Sequence, residues 1–265
     1  MFMTKLKTGA VLLLALVAIA VATSSPSYRA LAAVFAIEEI TTGEDGPRET
    51  VKGSGKLVTK EFKVAAFSSV AAGHAFEVEI TKGDSHSVKI TVDDNLAGEV
   101  TAVTEGTTLR IGVSSKNKSF QNAHWKAIVT MPRLDGINLG GASHATFQEF
   151  DAAKAFSANL SGASHLTATI KAEKVSLTAS GASKVTLKGS AKESTLNGSG
   201  ASTLALNDFT LTNADVRLSG ASRATLNVQG KLDYELSGAS TLKYQGSPTI
   251  GKKVNTGASR AQQEK

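Results

Sequence analysis

The chain has 265 residues, enough for one large domain or two small ones. It contains no cysteine, which excludes a disulfide framework and a thiolate metal site. Its 24 glycines against 4 prolines point to many tight turns between regular strands. The formal net charge is +6; residues 1–32 carry Lys5, Lys7 and Arg29 and no acid, so the remainder stands at +3. That excess is too mild for a dedicated nucleic-acid binder, and no nucleic-acid partner is expected.

Residues 1–32 open with Lys5 and Lys7 ahead of an unbroken small and apolar run from Gly9 to Ala22. Its 14 residues are short for a membrane span and suit the apolar region of a secretory signal. Ala20-Val21-Ala22 and Ala30-Leu31-Ala32 both offer cleavage sites; an uncleaved signal anchor is the alternative. Both readings place the rest of the chain outside the cytoplasmic membrane. Membrane contact is then expected only through an uncleaved N-terminal segment.

Residues 33–60 include "TTGEDGPRETVKGSGK", polar and without apolar period. The stretch reads as a linker, or else as an irregular edge of the adjoining domain. Residues 61–138 read as an N-terminal β portion. "HAFEVEIT", "SVKITV" and "TTLRIGV" alternate apolar with polar residues, and "KGD" and "TEG" supply turns. The unpatterned "SSKNKSFQNAHW" is expected as an exposed loop.

From residue 139 to 265 the chain repeats itself. Gly-Ala-Ser recurs at Gly141, Gly162, Gly181, Gly200, Gly220, Gly238 and Gly257, in steps of 21, 19, 19, 20, 18 and 19 residues. A period near twenty is a solenoid signature. Each unit holds one alternating piece after the turn (Leu166, Val185, Leu204, Leu242) and another before it (Leu160, Leu218, Leu236). A leucine-rich horseshoe would need a helix or 3-10 stretch and a fixed leucine ladder, whereas Ser, Thr, Gly and β-branched residues dominate here. The fold class predicted is therefore all-β, a parallel β-helix with one coil per repeat of about 19 residues, preceded by the N-terminal β portion. No coil can bury a core alone, so only a stack is stable. The glycines are expected to supply positive φ, the alanines to fill a tight corner, and the serines to satisfy local backbone groups. Ser143, Ser164, Ser183, Ser202, Ser222, Ser240 and Ser259 are thus turn residues rather than nucleophiles. "RAQQEK" is expected as a polar cap, and an open solenoid end allows homo-oligomers by end stacking.

The serial "SGAS" turns, "MPRLDGINLGGAS" before the first of them and "ITVDDNLAGEV" upstream resemble the "putative auto-transporter adhesin, head GIN domain" family over roughly Phe62 to Thr249. The resemblance implies an extracytoplasmic parallel β-helix at the cell surface and no catalytic residues. No translocating barrel is read after the repeats, so self-transport is not expected.

The residues directly after each Gly-Ala-Ser are His144, His165, Lys184, Thr203, Arg223, Thr241 and Arg260. Alternation points them outward if their successors face the core. In a stack they would form one column in which His144, His165, Lys184, Arg223 and Arg260 can carry positive charge. Such a stripe suits an acidic polysaccharide or another envelope component, or it simply keeps the sheet soluble. His144 and His165 lie one repeat apart, but no acid shares their repeat position, and neither a metal site nor a cofactor is expected. Asp93, Asp94 and Asn95 read as a turn rather than a calcium loop. Enzyme signatures with glycine-framed nucleophiles or phosphate loops are absent. The function expected is a non-catalytic extracytoplasmic head domain, a surface binding or adhesion scaffold. The alternatives are a ligand-free structural envelope module and a polysaccharide-active β-helix enzyme.

Overall fold

The computed structural model describes residues 49–115 and 117–264. The expected signal segment 1–32, and the expected linker up to residue 48, lie outside the described residues. No helix among the described residues is long and apolar enough to cross a membrane.

The strands, in chain order, begin with β1 (Glu49–Lys52), β2 (Leu57–Phe62), β3 (Ser69–Ala72), β4 (Glu77–Lys82) and β5 (Ser87–Asp93). A 3-10 turn at Asp94–Leu96 leads to β6 (Val100–Glu105), β7 (Thr108–Val113), β8 (Lys118–Gln121), β9 (Trp125–Met131) and β10 (Gly136–Leu139). The repeat region supplies β11 (His144–Leu160), β12 (His165–Ala179), β13 (Lys184–Gly198) and β14 (Thr203–Leu218). It continues through β15 (Arg223–Val228), β16 (Lys231–Leu236), β17 (Thr241–Gln245), β18 (Thr249–Asn255) and β19 (Arg260–Gln263).

All but β1 and β8 belong to one 17-stranded sheet wound into a solenoid. One side follows the Gly-Ala-Ser turn: β4, the first parts of β11 to β14, then β15, β17 and β19, all paired in parallel. The other side precedes the turn: β3, β10, the last parts of β11 to β14, then β16 and β18. The inward phase resets twice within β14, whose buried residues are Leu204 and Leu206, then Phe209 and Leu211, then Ala214, Val216 and Leu218. Each reset turns the alternation by one residue and bends the strand round a corner. The residues predicted to face inward, Leu166, Val185, Leu204 and Leu242 after the turn and Leu160, Leu218 and Leu236 before it, are all buried. The predicted parallel β-helix is the fold of this chain.

The N-terminal β portion is wound into the same solenoid. The sequence β3, Gly73-His74-Ala75, β4 forms a coil on which β10 and β11 stack. His74 and Ala75 take the positive φ values (58° and 63°) that glycine takes in later turns. Antiparallel strands then close this end, β5 against β9, β2 against β5, and β6 against β7.

Three local expectations change. Glu49–Lys60, expected within the linker, carries β1 and part of β2. Residues 118–121, expected in a loop, form β8 in parallel with β1, a non-local pairing between two segments that show no apolar period. "RAQQ", expected as a cap, is β19 and extends the ladder on β17.

The turns explain the repeat. Their glycines have φ between 67° and 73°. The following alanine donates its N–H to the glycine carbonyl one coil away, as Ala201 does to Gly181 at 2.8 Å. The expectation for alanine changes: the turn alanines are exposed rather than filling a corner, and it is the serines from Ser143 to Ser240 that are buried. Buried hydroxyls need partners, and most reach back three residues; the Ser164 Oγ donates to the Ser161 carbonyl at 2.7 Å and the Ser183 Oγ to the Ser180 carbonyl at 2.6 Å. The Ser202 Oγ, equally buried, has no hydrogen-bond partner among the described residues.

Two contrasts test this account by thermal or urea unfolding. A Cβ on Gly200 would sit 2.8 Å from the Gly181 carbonyl oxygen at φ +68°, whereas one on Gly98 would meet nothing within 4 Å. Gly200→Ala is expected to cost about 1–3 kcal/mol, and Gly98→Ala to stay within about 0.5 kcal/mol of the parent. Ser164→Ala should cost about 1 kcal/mol by removing the hydrogen bond from its hydroxyl to the Ser161 carbonyl, while Ser202→Ala should be neutral or stabilising. Equal losses at Ser164 and Ser202 would refute the assignment of hydroxyl roles.

Candidate functional site

The column read from alternation is present. Register runs His144, His165, Lys184, Thr203, Arg223, Thr241, Arg260, each residue opposite the next on adjoining strands. The basic members are all exposed, and the residues after them, from Ala145 to Leu242, are buried. At a strand spacing of about 4.8 Å the six steps span about 29 Å. The His144 and His165 rings lie 5.9 Å apart and tilted by 31°. The His165 Nδ1 is 3.1 Å from the Ala163 carbonyl oxygen.

A second outward column lies two residues further along each strand: Thr146, Thr167, Thr186, Ala205, Thr225, Lys243 and Gln262. Between the coils of His144 and Arg260 these two columns contain no acidic residue. Lys243, which the reading from the Gly-Ala-Ser motif missed, adds a positive group; its Nζ meets Glu264 at 2.6 Å. Counting two residues past Thr241 would have found it. None of His144, His165, Lys184, Arg223 and Arg260 takes part in an ion pair among the described residues.

The basic run stops at Glu77, which faces His144 across the ladder on one side and Lys126 on the other. The Lys126 Nζ lies 3.4 Å from both Glu77 and Glu79. The hydrogen bond to Glu77 chiefly holds the Lys126 ammonium above its ordinary range, with Glu79 adding to it against a small opposing effect of burial. Lys126 is thus already neutralised, whereas the column beyond Glu77 is not.

The remaining candidates have structural work. Asp93 is buried and accepts the N–H groups of Gly55 at 2.7 Å and His124 at 2.8 Å. The Ser54 Oγ donates to Asp94 at 2.7 Å, and this bond, more than the Lys56 charge, keeps the Asp94 carboxyl below its ordinary range. Asn95 accepts from the Ser54 N–H and donates to the Lys52 carbonyl. The "VDDN" turn therefore clamps residues 52–56 to the solenoid. His86 sits edge-on to Phe67, with Nε2 2.8 Å from that residue's carbonyl oxygen. No group of three or more His, Cys, Asp or Glu side chains suited to a metal occurs among the described residues.

Solved structures share this architecture. A putative adhesin from Bacteroides fragilis NCTC 9343 is 22% identical, with a TM-score of 0.75, over 81% of this chain and 100% of its own. A putative adhesin from Parabacteroides merdae ATCC 43184 is 18% identical with a TM-score of 0.64, over 82% of this chain and 100% of its own. A protein from Parabacteroides distasonis ATCC 8503 described as a putative lipid binding protein is 16% identical with a TM-score of 0.66, again over 82% and 100%. No curated protein matches the sequence. The profile described as "Putative auto-transporter adhesin, head GIN domain" matches residues 66–248, from the first coil through the repeats, and the chain belongs to that family.

Proposed function

We propose that this chain is a non-catalytic, extracytoplasmic, adhesin-like scaffold whose basic column binds an acidic polysaccharide of the cell surface. The observation that carries the reading is the in-register run of His144, His165, Lys184, Arg223 and Arg260, free of carboxylate partners among the described residues. Lys184, Arg223 and Arg260 stand two strands apart, about 10 Å, comparable with the Debye length of about 10 Å at 0.1 M salt, so they act jointly on a polyanion. A polymer with regularly spaced carboxylates or sulfates meets them along its whole length. The apolar signal-like segment at residues 1–32 and membership of a family described as adhesins support a location outside the cytoplasm. The turn serines have backbone partners or none rather than a base, which supports a role without catalysis.

Binding of the full chain to alginate and to dextran sulfate, followed across a salt series, tests the column. The comparison is a variant with His144, His165, Lys184, Arg223 and Arg260 all changed to Ser. Affinity is expected to fall steeply between about 0.05 and 0.5 M salt, and the variant to bind at least about tenfold more weakly at low salt while melting like the parent. Equal binding by two folded proteins would return the column to a role in solubility.

A further inference from the structure

The side of the solenoid before the turn carries different chemistry. Its outward positions place Asn138, Asn159, Thr178 and Asn197 in register on four neighbouring strands, with Arg110 beyond Ala71 at one end and Arg217 at the other. Where the β6–β7 hairpin meets this face the surface is hollow. A groove of about 640 Å³ runs from Val103, Glu105 and Arg110 across Asn138 and Asn159 to Thr178. A second hollow of about 330 Å³ shares Thr178 and continues past Asn197 to Arg217 and Glu235.

The groove, which His74 also lines, offers donors and acceptors, and its arginines are paired. Arg110 is held by Glu105, Nε to Oε2 at 2.5 Å, and Arg217 by Asp215 at 3.0 Å. The Asn159 amide donates to the Asn138 side-chain oxygen at 2.9 Å, which leaves the Asn138 NH2 and the Asn159 oxygen free to face a ligand. Every strand beneath these residues is paired on both sides, so its backbone groups are taken and cannot add a peptide strand. What remains is a line of side-chain amides and hydroxyls about 4.8 Å apart, close to the advance of one sugar ring in an extended glycan. Val103 stands at the rim, 53% exposed, and offers an apolar contact for the C–H face of a ring.

We propose that this groove is a second binding site, specific for a neutral polysaccharide lying along the solenoid axis. Asn138, Asn159, Thr178 and Asn197 hydrogen-bond its hydroxyls, one coil per sugar. The ligand is uncharged because both guanidinium groups are already paired. The site lies on the opposite side of the turn from the basic column and does not rest on it.

Titration calorimetry of the full chain with linear neutral oligosaccharides (cello-, xylo-, malto- and chito-oligomers) tests the proposal. At least one series should bind with a Kd that is unchanged between about 0.05 and 0.5 M salt, since no ion pair forms. Affinity should rise with oligomer length until the groove is filled. Asn138→Ala with Asn159→Ala should weaken binding about tenfold or more, and the five-serine column variant should leave it intact. Val103→Ser, at an exposed rim position, supplies the same readout should the double variant fail to fold. Failure of every neutral series to bind, strong salt dependence, or loss of binding in the column variant would overturn the site. The column itself is read separately through alginate.

Discussion

The architecture depends on one contact repeated up the stack, the hydrogen bond from the turn alanine N–H, from Ala163 onward, to the glycine carbonyl of the adjoining coil. Ala163, Ala182, Ala201, Ala221, Ala239 and Ala258 all make it, at 2.7–2.8 Å. It fixes where the chain turns relative to its neighbour, and hence which residue lies opposite which. A slip of one residue would send every apolar side chain to the outer surface. Glycine is needed because its φ is positive and because a Cβ would press on the very carbonyl that accepts this bond. The serine beneath is buried, and in most turns its hydroxyl finds its partner in the carbonyl three residues back. The motif is therefore written once per coil because each copy is the template for the next.

The outward positions escape this constraint, and their chemistry differs between the two long sides. After the turn, beyond Glu77 and Glu79, they are mostly basic or hydroxyl, and before it mostly amide or hydroxyl with paired charges at the ends. If solubility alone governed both, mixed charge would suffice on each, as it does at the corner where Lys192 meets Glu173. The separation instead gives the molecule two repetitive surfaces of unlike character on one rigid frame. Repetition matters for a polymer ligand: weak contacts made once per coil act together when the ligand repeats at a similar interval.

The repeat region was legible because its rules are local. Two residues of spacing and one turn motif placed Leu166, Val185, Leu204 and the His144 column on their correct sides. The same alternation contained the burial of the serines. An outward His144 requires an inward Ser143, yet the idea of alanine filling a corner obscured it. The first coil hid because His74 and Ala75 hold the positive φ that elsewhere announces itself as glycine. β1 and β8 hid because each is a strand only by virtue of the other, 69 residues away from Glu49 to Lys118. The groove was out of reach for the same reason. It exists where β7 lies beside β3 and β6 beside β7, and nothing in the local sequence around Asn138 and Asn159 reports that neighbour.

The two limits of the ladder are unlike, and charge explains what that means for self-association. At the first coil, antiparallel partners on β7 and β9 complete the edge with a pattern that a further parallel coil cannot continue. At the other limit β18 and β19 pair only inward among the described residues. There the strands carry Lys252, Lys253 and Arg260, all exposed, with Lys252 alone reaching back, to Glu235. Two copies meeting edge to edge by a two-fold axis would bring these cations together, the arrangement by which natural edge strands resist pairing. Arg260 at this same edge is also the last basic member of the column, so one residue contributes both to the charge of the edge strand and to the outward stripe.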